Sequence, residues 1–226
     1  LGTMLLDRSF LASQQLLNSP EGFAREHLGA WGETADMPAI DPKSWAFLEG
    51  DTAPLYEGDP CWLSLDIAFD KTAARLLLFY VREDGRIQVQ TLESLNSEAG
   101  LSERAFIDLV RAHADQLQPE AIGYDELSAG AVAQQLEQEY TMVKLPVRKY
   151  SVACQALRQA VKESRLVHDG DPAVALDVSR GVRRAFGDGG WIFDRRGREI
   201  PGAIALAVGH YLASDPDVND SVMATG

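Results

Sequence analysis

The chain has 226 residues, of which 46% are hydrophobic, and a formal net charge of -13 at pH 7. This length and apolar content suit one sizeable domain with its own core, plus an N-terminal appendage. The negative charge argues against a protein that coats nucleic acid non-specifically, because such proteins attract phosphates through basic surfaces. An enzyme with one local basic face and carboxylate metal ligands remains compatible with it.

Two further features narrow the class of protein. No apolar run approaches the length of about 20 residues that spans a bilayer, and the first 17 residues lack the basic and apolar regions of a signal peptide. Cys61 and Cys154 lie far apart in apolar runs, and we interpret them as reduced core residues. We therefore expect an intracellular, soluble protein.

The first 55 residues are predicted to be a helical segment followed by a linker. Ser19-Pro20-Glu21 is typical of a helix start. From Glu33 to Pro60 the chain is rich in prolines and acids, which indicates an irregular linker. We expect Trp45, Phe47 and Leu48 to pack against the domain that follows and so to anchor this linker to it.

The central feature of the sequence is an apolar run from Cys61 to Asp70 with Asp66 in its middle. The run predicts a strand that is buried on both faces. An ionised aspartate inside such a strand is costly unless a cation compensates it, and a bound metal is the commonest functional answer. The alternative is an aspartate at the strand edge that is salt-bridged or solvated.

Two more strand-like runs follow, from Ala73 to Glu83 and from Arg86 to Glu93. Asp84-Gly85 joins them and is a strong hairpin signal, so the three runs predict an antiparallel meander. Ser102 then caps a predicted helix. A second apolar strand comes next, from Ala121 to Asp125, and it also ends in an acid.

The remaining pattern alternates helices and strands, which indicates a parallel extension of the sheet. The predicted helices cover residues 131–140, 151–164, 172–186 and 202–213. Met142 to Val147 is predicted to be the last strand, and the final helix to pack on the sheet through an apolar stripe. The predicted fold class is α/β, with three antiparallel strands and then parallel strands in one mixed sheet flanked by helices. Residues 215–226 are predicted to be an acidic flexible tail.

This order of elements is the plan of the ribonuclease H-like nucleases. Over essentially its whole length, the chain resembles the C-terminal nuclease domain of the large terminase subunit of tailed bacteriophages. The segments that carry the resemblance are Phe23 to Trp31, Ser64 to Ala68, Gly123 to Asp125, Tyr150 to Cys154, Leu166 to His168, Asp171-Pro172, Trp191 to Arg195 and Ile200 to Leu206. Their order and spacing are similar to those of the family.

The resemblance implies a division of the chain and a set of partners. Residues 1–55 would come from a missing ATPase motor domain, residues 56–214 would form the nuclease domain, and residues 215–226 the tail. The sequence contains no phosphate-binding loop of the kind that ATP-driven motors use. The implied partners are double-stranded DNA and, in the full protein, the motor domain, the small terminase subunit and the portal of the procapsid. The implied location is the host cytoplasm, with no membrane partner.

The implied function is that of a viral hydrolase, an endonuclease that cuts concatemeric phage DNA during packaging with the help of two Mg²⁺ or Mn²⁺ ions. Two ions about 3.5 to 4 Å apart activate a water and stabilise the leaving oxygen, and carboxylate oxygens suit both metals. Neighbouring strands lie about 4.8 Å apart. Asp66 and Asp125 are therefore predicted to be catalytic metal ligands.

The third acid is where the sequence departs from the family's pattern, because Pro201 stands where one version of the family has an aspartate. We assign the third catalytic, metal-binding position to Glu199. Asp194 is the alternative metal ligand, and Asp70 could help from the end of its strand. Glu199 could instead be a solvated turn residue that balances the neighbouring arginines.

Five arginines in and around the last loop are predicted to bind the DNA backbone, namely Arg183, Arg184, Arg195, Arg196 and Arg198. For Arg183 and Arg184 the simpler interpretation is a helix C-terminus decorated with cations. Two other functions stay open: another ribonuclease H-like nuclease such as a junction resolvase, or a docking module that binds DNA or portal without cutting.

Overall fold

The computed structural model describes residues 38–214, so the predicted N-terminal helices and the predicted tail lie outside the described residues. In chain order the elements are α1 (Pro42–Ala46), β1 (Cys61–Ile67), β2 (Ala73–Val81), β3 (Ile87–Asn96), α2 (Glu103–Leu117), β4 (Ala121–Tyr124), α3 (Glu126–Leu136), β5 (Met142–Lys144), α4 (Val147–Lys162), β6 (Leu166–His168), α5 (Pro172–Arg180), β7 (Arg183–Phe186), β8 (Gly190–Phe193) and α6 (Pro201–Ser214). None of these helices is long and apolar enough to cross a membrane.

A mixed six-stranded sheet with the strand order β5-β4-β1-β2-β3-β6 forms the centre. Strands β1, β2 and β3 are the predicted antiparallel meander, while β4, β5 and β6 each pair in parallel with a neighbour. Gly85 in the turn between β2 and β3 has a φ of 79°, a conformation that favours glycine. The predicted fold class is confirmed.

All seven residues of β1 are buried because helices cover both faces of the sheet. Alternate side chains of β1 and β2 face α2 and α3 on one side and the layer containing α4 and α6 on the other. Helix α6 lies so close to β2 that a Cβ atom on Gly209 would come within 2.0 Å of the Phe79 ring. Only a residue without a side chain fits at this position. The predicted packing of the last helix on the sheet is thus confirmed. Cys61 and Cys154 are buried free thiols, as predicted.

A buried ion pair holds the start of α6 in place. Arg75 Nε lies 3.1 Å from Asp177 Oδ2, and the Gly202 N–H donates to the same oxygen at 2.8 Å. Burial raises the pKa of Asp177 to about 6, although the positive charge of Arg75 acts against the rise. Because Glu199 precedes α6 by two residues, this contact also fixes one end of the loop that carries Glu199.

The predicted limits of one helix and one strand that follow β4 are wrong. Helix α3 begins at Glu126 rather than at residue 131, because the Asp125 side chain caps its first turn. Strand β5 ends at Lys144, because Pro146, two residues later, is the N-cap of α4. Residues 142–147 are also not the last strand, because β6 joins the opposite edge of the sheet beside β3.

The predicted helix over residues 172–186 is wrong in its second half. Helix α5 ends at Arg180, and the chain then forms the hairpin β7–β8 as a separate two-stranded sheet. The hairpin packs so closely that a Cβ atom on Gly181 would lie 2.8 Å from the Phe193 ring. Arg183 and Arg184 therefore lie on a strand and do not decorate a helix C-terminus.

Part of the predicted linker contributes to the core. Trp45 and Leu48 are buried, and the Trp45 ring stacks on His168 with 4.0 Å between the ring centroids. The predicted anchoring role of Phe47 is wrong, because its side chain is 81% exposed. The division of the chain at residue 55 stays a prediction.

Candidate functional site

Two carboxylates lie side by side where two central parallel strands end. Strand β1 pairs with β4 so that Leu65 is opposite Tyr124; Asp66 is the next residue of β1, and Asp125 directly follows the last residue of β4. Both aspartates are buried. Asp125 turns out of the sheet to cap α3, and its Oδ2 accepts the Leu127 N–H at 3.0 Å. The sheet thus brings together the first two predicted acids.

The Ser128 hydroxyl links the two carboxylates. Its Oγ donates a hydrogen bond to Asp66 Oδ1 and lies 3.4 Å from Asp125 Oδ2. Ser128 is not among the site residues predicted from the sequence. The available signal was the spacing of three residues between Asp125 and Ser128, because a side chain in the first turn of a helix lies near the capping residue.

A guanidinium group lies between the two carboxylates. Arg195 Nη2 is 3.0 Å from Asp125 Oδ2 and 3.6 Å from Asp66 Oδ1, and the arginine side chain is only 14% exposed. Its guanidinium carbon also lies 5.3 Å from the centroid of the Phe69 ring, within the range of a cation–π contact. One cation therefore contacts both predicted metal ligands.

The burial of Asp66 and its charged neighbours change the pKa of its carboxyl group. Burial raises the pKa of Asp66 to about 7, while the Arg195 charge and the Ser128 hydrogen bond lower it and the charge of Asp125 raises it. Because a metal ion binds the ionised carboxylate, cation binding at Asp66 competes with a proton. Metal affinity at this position should therefore increase as the pH rises through 7.

Glu199 lies beside the acid pair with its side chain bonded elsewhere. Its Oε2 accepts the Phe69 N–H at 3.1 Å. Burial raises the pKa of Glu199, and the negative charge of Asp70 adds to the rise. Glu199 lines one cavity together with Asp125 and a second, smaller cavity together with Asp66. It is therefore well placed to join the pair.

The other candidates for the third acid are engaged in local contacts. Arg196 donates hydrogen bonds to Asp194 through Nε and Nη2, each 2.9 Å from a carboxylate oxygen. These hydrogen bonds lower the pKa of Asp194. Asp194 lines neither of the two cavities that Glu199 lines. Asp70 is exposed and accepts the Thr72 N–H and hydroxyl. This geometry favours Glu199.

An open cleft of about 780 Å³ lies in front of the acids. Its charged lining consists of four cations, Lys144, Arg184, Arg195 and Arg196, and three acids, Asp125, Glu126 and Glu199. Lys144 Nζ lies 3.0 Å from Glu126 Oε1. Three large apolar side chains at its rim are strongly exposed, with Phe69 at 52%, Leu127 at 77% and Val147 at 49%. The cleft thus combines positive charge and apolar surface next to a carboxylate pair.

The five predicted DNA-binding arginines do not all face the open cleft. Arg184 and Arg196 line the open cleft. Arg195 lies between the acids, and Arg198 lines the small cavity beside Asp66. Arg183 does not line either cavity, and its guanidinium carbon lies 5.5 Å from the centroid of a tryptophan ring in β8.

The donor atoms fit a divalent ion, although the ligands are not assembled around one point. Within residues 38–214, no three acidic, histidine or cysteine side chains are grouped closely enough to hold a metal. However, the guanidinium of Arg195 already occupies a position from which one cation contacts both Asp66 and Asp125. Carboxylate oxygens and the nearby Ser128 hydroxyl are hard donors, the type that Mg²⁺ and Mn²⁺ prefer.

Comparison with known proteins shows that the chain has a known fold. No protein-family model and no curated protein matches the chain. The bacteriophage HK97 large terminase is 12% identical, with a TM-score of 0.67 over 93% of this chain and 51% of that one, so this chain spans about half its length.

The large terminase nuclease of the thermophilic phage G20c is 13% identical, with a TM-score of 0.56 over 73% of this chain and 92% of that one. The same nuclease with bound magnesium is also 13% identical and gives 0.55 over 73% and 91%. The resemblance to large terminase nuclease domains is confirmed at the level of the fold.

Proposed function

We propose that this chain is the nuclease part of a large terminase, a divalent-metal-dependent endodeoxyribonuclease that cuts concatemeric viral DNA during genome packaging. The observation that carries the proposal is the buried pair of Asp66 and Asp125 around a single cation, at the edge of a cleft lined by further cations. The fold likeness to terminase nucleases, one of them with bound magnesium, supports it.

In this proposal Asp66, Asp125 and Glu199 hold two Mg²⁺ or Mn²⁺ ions. When bound, such ions supply an activated water and neutralise charge on the phosphodiester. Asp66 and Asp125 come from rigid strand ends, and Ser128 orients the Asp66 carboxylate by donating to it. Glu199 approaches from the loop before α6, and it joins the site by leaving the Phe69 N–H.

The cleft binds the DNA backbone in this proposal. Arg184 lines it, together with Lys144 and Arg196, which are paired with Glu126 and Asp194. These cations would attract phosphates locally, on a chain whose net charge of -13 repels DNA elsewhere. Weak binding without sequence preference follows, because phosphate contacts carry no sequence information. In the full protein, the proposed partners are the ATPase motor domain, the small subunit and the portal, in the host cytoplasm.

Cleavage of a supercoiled plasmid tests the proposal. We expect nicked and linear products with Mg²⁺ or Mn²⁺ and none with EDTA. Asp66→Asn and Asp125→Asn should abolish cleavage while circular dichroism shows a folded protein, because each removes a charged ligand. Asp108→Asn, at an exposed acid of α2, is the matched control and should cut normally.

Full activity in either Asp66→Asn or Asp125→Asn would refute the assignment of the site. A wild-type protein that binds DNA and leaves the plasmid intact under all metal conditions would instead support a docking module.

A further inference from the structure

We propose that Arg195 is the resident counter-cation of the Asp66–Asp125 pair, that a divalent ion displaces it, and that its freed guanidinium then binds a DNA phosphate. This inference rests on the proposed metal-dependent function. It assigns Arg195 as a positioning residue that holds the two acids in place before the metal binds, whereas the sequence predicted only that it binds the DNA backbone.

The charges at the site favour the exchange. Asp66 and Asp125 together can carry two negative charges, and Arg195 supplies one positive charge at 3.0 and 3.6 Å from their oxygens. The ionised site therefore keeps one uncompensated negative charge. A divalent ion would neutralise both carboxylates, and it cannot share the position with the guanidinium because two cations in a buried site repel each other.

The contacts of Arg195 also lack the bidentate geometry of a strong arginine–carboxylate pair. Strong pairs form two parallel hydrogen bonds, as Arg196 does with Asp194. By contrast, the buried Nη2 atom of Arg195 makes no well-aligned hydrogen bond with any residue in the described range 38–214. Its attraction to the acids is therefore mainly electrostatic, and a cation of higher charge would replace it.

The surroundings provide a position for the displaced side chain. Arg195 lines the open cleft of about 780 Å³ in which Arg184 and Arg196 also lie. It belongs to the loop between β8 and α6, which contains Gly197 at a φ of 66°. Glu199 lies four residues further along this loop. Withdrawal of Arg195 from the two acids would thus leave its charge free to act in the cleft beside Arg184 and Arg196.

Calorimetric titration with Mn²⁺, in the absence of DNA, tests the exchange. Arg195→Met should bind Mn²⁺ at least about tenfold more tightly than Arg183→Met, because an arginine that fills the site for 90% of the time lowers the apparent affinity about tenfold. Arg183→Met is the matched control, since it makes the same charge change at an exposed side chain that lines neither cavity and contacts no candidate metal ligand in the described range 38–214. Equal affinities in the two variants would overturn the inference.

A measurement on the wild-type protein keeps the test valid if Arg195→Met does not fold. Phenylglyoxal modifies accessible arginines, and mass spectrometry locates the modified residues. Saturating Mn²⁺ should increase the modification of Arg195 several-fold relative to Arg196, and an unchanged ratio would overturn the inference.

The two proposals fail in different ways. If Arg195→Met gains Mn²⁺ affinity and no variant cuts DNA, the counter-cation role holds and the nuclease assignment fails. If the wild type cuts DNA and Arg195→Met binds Mn²⁺ no more tightly than Arg183→Met, only the counter-cation role fails.

Discussion

The buried Asp66 carboxyl should give the metal-free protein an unusual dependence of stability on pH. Its pKa in the folded protein is about 7, against an ordinary aspartate value of 3.8, and the main cause is burial. At a pH between these two pKa values, the Asp66 carboxyl therefore keeps its proton in the folded state, whereas it has lost it in the unfolded state. Consequently, this group makes the protein more stable at pH 5 than at pH 8, and the contribution is lost as the pH rises through 7.

The size of the effect follows from the linkage between proton binding and folding. One pH unit corresponds to about 1.36 kcal/mol, so the two units between pH 7 and pH 5 give about 2.7 kcal/mol of unfolding free energy. Asp177, with a pKa raised to about 6 by burial, acts in the same direction with a smaller contribution. Its contribution is common to the wild type and an Asp66 variant, and a comparison of the two removes it.

Urea denaturation in EDTA at pH 5 and pH 8, followed by tryptophan fluorescence, measures this effect. Asp66→Asn should lose about 2.7 kcal/mol of the change that the wild type undergoes between the two pH values. The exposed Asp108→Asn should keep the wild-type change. If Asp66→Asn and the wild type differ by the same amount at both pH values, the Asp66 carboxyl is not the buried, proton-binding group described above.

Three further predictions follow from the site and its support. Glu199→Gln should lose most of the plasmid cleavage and weaken binding of the second metal ion, whereas Asp194→Asn should have a smaller effect because that carboxylate does not line the cleft and is held by Arg196; the reverse order would exchange their roles. Arg184→Gln should weaken DNA binding in an anisotropy assay and lower its salt slope by about one. Arg183→Gln on the same strand is its control, and equal losses would remove the cleft as the DNA path. Arg75→Met should lower the free energy of unfolding by about 3–5 kcal/mol, because it leaves its buried carboxylate partner in α5 unpaired; a loss below about 1 kcal/mol in urea would contradict this.

The centre of the fold could be predicted because its signals are local. The continuous apolar run of β1 indicates burial on both faces, and Asp84-Gly85 identifies the hairpin that follows. The stripe on α6 likewise indicates a helix on the sheet. Once the strand order is known, the proximity of Asp66 and Asp125 follows from the parallel pairing of β1 and β4.

The remaining features depend on contacts between distant residues. Strand β6 is only three residues long, and it forms because β3 offers an open edge. The end of α5 at Arg180 depends on the packing of the β7–β8 hairpin against Gly181. The position of Arg195 between two carboxylates could not be predicted from its neighbours in the sequence. An arginine in a basic loop is expected to bind DNA, and only the structure shows that it contacts two acids from distant strands.

Anomalous diffraction from crystals soaked in Mn²⁺ tests the central claim most directly, because it locates the metal without reference to activity. We predict anomalous density in contact with the carboxylates of both Asp66 and Asp125, with metal–oxygen distances of about 2.0–2.2 Å. Saturating Mn²⁺ bound elsewhere on the protein, with this pair of carboxylates free of metal, would contradict the claim that they form the catalytic centre.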